Sequence, residues 1–217
     1  MQLSWHGLSA FEIVTKNTDG EVVLVTDPYD NATGLRFPKT IEGHIVTVSH
    51  DEAEANSVTS VTGSPALITV PGEFEVRGVF VFGIDAPLKR QDKKGRPSPN
   101  ILYRIETEGM QIAHLGSLDR LLTDEELERL KNIDILMVPV GGGMVLSPTL
   151  AAEVISQIEP RVIIPMMYEL PGLKETYGPV EAFYKAMGAC RREDMNKYKV
   201  TRKDLPEEDM LIVTLTK

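Results

Sequence analysis

The chemistry open to this chain rests on few side chains. Among 217 residues there are four histidines (His6, His44, His50 and His114) and one cysteine, Cys190. His50, Glu52 and Glu54 alternate within His50-Asp51-Glu52-Ala53-Glu54-Ala55, which could give one imidazole nitrogen and two carboxylate oxygens to a single ion. Such a donor set suits a harder divalent cation, Mn²⁺ or Mg²⁺, held with modest affinity. The same residues also read as solvated acids near a helix start, where negative charge suits the helix dipole. Cys190 has Arg191 and Arg192 beside it, which favour the thiolate, yet no histidine is adjacent as a base, so an inert thiol fits better than a nucleophile. A lone cysteine also excludes an internal disulfide and a multi-cysteine zinc or iron–sulfur site. His6 has no partner readable from the sequence, and His44 after Gly43 reads as a surface turn.

The elements that must position these groups change character along the chain. Apolar, β-branched runs separated by turn residues predict strands at 3–5, 11–14, 21–26, 45–48, 66–70, 79–84, 101–106 and 111–115. The turn before the third lies at Asn17-Thr18-Asp19-Gly20. Beyond residue 120 the period lengthens. Thr123-Asp124-Glu125-Glu126 has the form of a capping box and predicts a helix to about Lys131. Ser147-Pro148 predicts a second helix, with Leu150, Ala151, Val154, Ile155 and Ile158 on one face. Buried strands are expected at 133–140, 161–165 and 211–215, and a third helix over 180–187. Lys89–Pro99 (KRQDKKGRPSP) reads as a mobile surface loop.

Composition narrows the function classes. The net charge is −9, which argues against a nucleic-acid-binding surface and against anionic lipid. The basic Lys89–Pro99 stretch has no interleaved aromatic residue to stack a base. No apolar run reaches the roughly 20 residues that span a bilayer, and the opening residues lack the pattern of a signal peptide. A cytoplasmic location is the expectation. Gly-x-Gly-x-x-Gly, Walker and Gly-x-Ser-x-Gly patterns are all missing.

Several segments together resemble a known family. They are Trp5-His6-Gly7-Leu8-Ser9-Ala10-Phe11, Val25-Thr26-Asp27-Pro28-Tyr29, Ile45–Asp51, Pro71–Val79, His114-Leu115-Gly116-Ser117-Leu118, Val138–Gly142 and Ile163–Tyr168. In this order they resemble the metallo-β-lactamase superfamily, in its branch of short bacterial proteins related to ascorbate-6-phosphate lactonase. The resemblance implies an α/β (α+β) fold, a four-layer αββα sandwich formed by a single domain over residues 1–217, with a metal site where strand ends meet loops. It also implies hydrolysis assisted by one or two metal ions.

The ligand positions depart from that pattern. The family's loop reads His-x-His-x-Asp-His. Here His50 stays, Glu52 replaces the second histidine, Glu54 the aspartate, and Ala55 the last histidine. Leu88, Ser117 and Met167 stand where a histidine, the bridging aspartate and the final histidine are implied. Asp27 matches an aspartate that supports the metal loop, and His114 reads as a hydrogen-bonded histidine behind the site. The leading expectation is therefore a non-hydrolytic pseudoenzyme without cofactor. It would bind a small molecule or protein partner in a pocket of His50, Asp51, Glu52, Glu54, Ser117 and Met167, backed by Asp27 and His114. The alternative is a hydrolase of an ester, lactone or phosphoester with one weakly held divalent metal (Mn, Mg or Zn) on His50, Glu52 and Glu54. A homodimer is left open.

Overall fold

The computed structural model describes residues 1–18 and 20–217, so Asp19 of the expected turn lies outside the described residues. Three antiparallel strands open the chain: β1 (Gln2–Gly7), β2 (Ala10–Asn17) and β3 (Gly20–Thr26). Two short strands, β4 (Ile45–Thr47) and β5 (Ala66–Ile68), extend this sheet in parallel beyond β3. A second sheet begins with the antiparallel meander β6 (Gly72–Val76), β7 (Val79–Asp85), β8 (Ile101–Thr107) and β9 (Met110–His114). It continues in parallel through β10 (Ile135–Pro139) and β11 (Val162–Met166). Near the end of the chain, β12 (Arg191–Met195) and β14 (Leu211–Leu215) complete the second sheet, while β13 (Lys197–Lys199) crosses over to pair with β1. The sheets have six and eight strands.

Among the described residues the α-helices lie in the second half: α1 (Asp124–Arg129), α2 (Pro148–Ile158) and α3 (Val180–Met187). Among the described residues of the first half, the helical turns are those at 31–33 and 58–60. Among the described residues no helix is long and apolar enough to cross a membrane. Both start signals act as expected. Thr123 accepts from the Glu126 N–H while Glu126 accepts from the Thr123 N–H, and the Ser147 side chain caps α2 above Pro148. Ala151, Val154 and Ile155 of α2 are buried, with Leu150 and Ile158 packed at the margin of the core.

The two sheets meet through a continuous apolar core that includes Phe11, Val25, Val46, Ile105 and Ile112. Tyr103 spans the gap, its hydroxyl 2.7 Å from the Val48 carbonyl and 2.8 Å from that of Ile68. Burial raises its pKa, so the phenol stays a neutral donor. Three strands escape the sequence reading. β6 alternates half-buried and exposed residues on the outer edge of its sheet. β12 is the charged run Arg191-Arg192-Glu193-Asp194-Met195, and β13 is only three residues long. Both lie at sheet edges, where charge discourages further strand pairing.

The first turn of α1 carries a titration signature. Arg120 grips Glu126 with two bonds of 2.7 and 2.9 Å. Burial alone would raise the Glu126 pKa, but the Arg120 bond and the Thr123 N–H hold it below the ordinary 4.5. The unfolded chain therefore binds this proton more tightly, and the contribution to stability is complete above about pH 4.5 and fades as pH falls through the folded value. Glu126→Gln is expected to cost about 1 kcal/mol at neutral pH, with the difference from the parent shrinking in acid. Urea titrations at several pH values measure this. A second expectation concerns Gly141, where a Cβ would lie 2.2 Å from the Met167 carbonyl oxygen and 2.8 Å from Tyr177 Cβ. Gly141→Ala should destabilise by about 1–3 kcal/mol in the same assay.

Candidate metal centre

The candidate site grows from the end of β4. Val48 still bonds to Ile68 of β5, and the chain then turns out of the sheet. Both Ala55 N–H and Asn56 N–H return to the Glu52 carbonyl, at 2.9 and 3.1 Å, which curls residues 52–56 into one turn. That curl carries Glu54 back over His50. The turn is tied down by Asp30 N–H donating to Ala53 O and Ser57 N–H donating to Pro28 O. Ala55 is fully buried beneath it.

Donor atoms of His50, Glu52 and Glu54 all lie within 4.8 Å of one another. His50 is buried at 5% exposure, and its Nε2 stands 3.6 Å from Glu54 Oε1. Nε2 has no hydrogen-bond partner although it is sealed from solvent. Glu52 is the outermost of the three and is held by Arg90, whose Nη2 is 3.2 Å from Glu52 Oε2. Arg90 Nη1 donates to the Met144 carbonyl at 3.1 Å, so the guanidinium links the acidic turn to the loop after β10.

The electrostatics separate the two carboxylates. Burial by itself would raise the Glu54 pKa, but the His50 imidazole facing it at 3.6 Å brings it down to about 2. Glu52 moves the other way, raised by burial and by the neighbouring Glu54, with Arg90 opposing. Tyr177 lies within the field of both, and burial followed by the Glu54 charge pushes its phenol up. The buried nitrogen, with no hydrogen-bond partner, and the two converging carboxylates fit a divalent ion.

The remaining expected residues are placed differently. Asp51 is exposed and accepts from Asn56 Nδ2 at 2.7 Å, outside the cluster. Ser117 is buried, with its N–H bound to Asn100 Oδ1 and its Oγ without a partner. Met167 is buried in a left-handed conformation at φ 53°, its N–H bound to Leu8 O. Leu88 is likewise buried. Leu88 and Ala55 carry no donor atom on their side chains. Asp27 is fully buried and binds Ser49 twice. His114 is fully buried, its Nε2 2.9 Å from the Ser9 carbonyl and 3.8 Å from Asp27 Oδ2. Burial lowers its pKa, which keeps it neutral. Away from the site, His6 pairs with Glu12 at 3.1 Å and His44 Nδ1 accepts from Val23 N–H at 3.0 Å. A groove of about 440 Å³ opens beside His50 and Asp51, walled by Val58, Leu67, Pro99 and Ile101.

Arg90 and Ser49 are missed by the sequence reading. Arg90 falls in the basic stretch read as a mobile loop, yet both Lys89 N–H and Arg90 N–H are held by the Asp119 carboxylate at 2.7 and 2.8 Å. No local pattern marks either residue. The spacing from Asp119 to Lys89 closes only in three dimensions.

Comparison with known proteins places the chain. A family profile described as a β-lactamase superfamily domain matches residues 2–167. A Thermococcus onnurineus protein named UPF0173 metal-dependent hydrolase is 26% identical over 218 residues, covering 87% of this chain and 92% of its own length. A Symbiobacterium thermophilum protein of the same name is 28% identical over 191 residues, covering 76% of this chain and 83% of its own. Among solved structures, a Thermotoga maritima protein of the metallo-β-lactamase superfamily, named as a candidate zinc-dependent hydrolase, superposes with a TM-score of 0.79. It is 30% identical and covers 100% of this chain and 99% of its own. The relatives are archaeal as well as bacterial. These names, together with the cluster, overturn the expectation that no cofactor is held: they point to a divalent metal on His50, Glu52 and Glu54. That expectation counted lost ligand positions along the chain, whereas the turn at 52–56 converges three donors that remain. The two-sheet α/β architecture and the match over residues 2–167 agree, and the chain belongs to the β-lactamase superfamily, in its metallo-β-lactamase fold.

Proposed function

We propose that this protein is a metal-dependent hydrolase of an ester, lactone or phosphoester, working with one divalent ion on His50, Glu52 and Glu54. The observation that carries the reading is the buried, unpartnered Nε2 of His50 facing two carboxylates. The name shared by the relatives supports it. Both favour hydrolysis over the non-hydrolytic, partner-binding role expected first.

An ion bound there supplies Lewis acidity and makes hydroxide available near neutral pH. The protein's own contribution is order and charge. Glu54, with its pKa near 2, is a carboxylate throughout the neutral range. Arg90 fixes the outer carboxylate of Glu52 and offsets part of the negative charge beside it, lowering the repulsion an anionic or polarised substrate oxygen would meet. The groove beside His50 has room for the remainder of a small substrate.

The test is a thermal melt of chelator-stripped protein with added Mn²⁺, Mg²⁺ or Zn²⁺. At a hundredfold excess over Kd, an ion binding only the folded state adds about 2.7 kcal/mol and raises Tm by about 5–10 °C. The double variant Glu52→Gln, Glu54→Gln should fold and lose the shift. Absence of a shift with all three ions would reject the reading, and a shift that survives the double variant would move the metal elsewhere. Turnover of p-nitrophenyl ester and phosphoester probes by the Mn²⁺-loaded protein then identifies the bond class.

A further inference from the structure

Ser49 stands between the fully buried carboxylate of Asp27 and the ring of His50. Its N–H donates to Asp27 Oδ1 at 2.7 Å and its hydroxyl to Asp27 Oδ2 at 2.6 Å. The same hydroxyl oxygen lies 2.8 Å from His50 Nδ1. A serine hydroxyl has one proton to give, and here Asp27 takes it. The Ser49 oxygen therefore meets His50 as an acceptor, and the ring must carry a proton on Nδ1. In the neutral imidazole this leaves the lone pair on Nε2, the atom that faces Glu54 and lacks a hydrogen-bond partner.

We infer that Ser49 is a positioning residue: it relays the Asp27 carboxylate to His50, fixing the Nδ1–H tautomer and turning the Nε2 lone pair toward Glu52 and Glu54. The metal half of this inference rests on the reading that these three residues hold a divalent ion; the tautomer half does not. The surroundings are built to keep Ser49 in place. Gly116 has φ +57°, and a Cβ there would fall 2.7 Å from Ser49 Cβ, 2.9 Å from its Oγ and 2.4 Å from Asn100 Oδ1. On the far side of Asp27, His114 gives its Nε2 proton to the Ser9 carbonyl at 2.9 Å, which leaves Asp27 free to accept from Ser49. The Ser49 carbonyl in turn accepts from Ile101 N–H at 2.8 Å, locking the residue to β8.

The experiment is a long-range ¹H–¹⁵N NMR spectrum of the histidines in chelator-stripped protein above about pH 8, where an ordinary histidine is neutral. His50 is expected to show a protonated Nδ1 and an unprotonated Nε2. In Ser49→Ala it should shift toward the Nε2–H form, and Ser49→Thr, which keeps the hydroxyl, should restore the parent spectrum. Calorimetric titration with Mn²⁺ should show affinity reduced about tenfold or more in Ser49→Ala and recovered in Ser49→Thr. Melting curves of both variants verify that they are folded, and Ser49→Thr against the parent carries the test if Ser49→Ala does not fold. A parent His50 protonated on Nε2, or a tautomer unchanged in folded Ser49→Ala, overturns the inference. An Nδ1–H tautomer that depends on Ser49, in a protein that takes up no Mn²⁺, upholds the relay and rejects the metal reading alone.

Discussion

The contact on which the candidate site depends is the pair of hydrogen bonds from Ser49 to the buried Asp27 carboxylate. A carboxylate removed from water is costly unless its oxygens are satisfied, so this pair fixes where the chain can leave β4. Asp27 itself sits at φ 41°, just past the end of β3, with its N–H on the Thr47 carbonyl. Two adjacent parallel strands are thus joined at their ends by one side chain. Everything after Ser49, including the turn that returns Glu54 to His50, starts from that fixed point.

The site combines elements far apart in sequence. His50, Glu52 and Glu54 come from the loop after β4, Arg90 from the segment between β7 and β8, and Met144 from the loop after β10. All lie where strand ends pass into loops, the region an α/β sheet leaves open for a ligand. The protein spends buried charge there unevenly. Glu54 is inside and kept ionised, while Glu52 is outside and partnered by a guanidinium. The buried donors meet Arg90 on one side and a groove with apolar walls beside His50 and Asp51.

The positions where the family resemblance implied ligands are filled with packing residues. Leu88, Ala55 and Met167 are all buried, and Met167 adopts a left-handed backbone that sets its carbonyl against Gly141. What remains is a donor set of one nitrogen and two carboxylates on His50, Glu52 and Glu54.

How much was legible follows from how local each signal is. The strands of the first half other than β6, the Thr123–Glu126 capping box, the Ser147–Pro148 helix start and the apolar face of α2 are set by neighbours within a few residues, and the chain states them directly. The edge strand β12 is not stated, because Arg191-Arg192-Glu193-Asp194 has no apolar alternation, and its pairing with β14 is set by main-chain bonds that any side chains allow. The sequence by itself determined the donor atoms, His50 with two glutamates at alternate positions, and an acidic surface. Only the tertiary structure decided that those donors converge, that Ser49 stands between Asp27 and His50, and that Arg90 is held on Glu52 by way of Asp119. Spacing along a chain specifies local geometry, but loops from separate strands meet only where two buried sheets fix their ends.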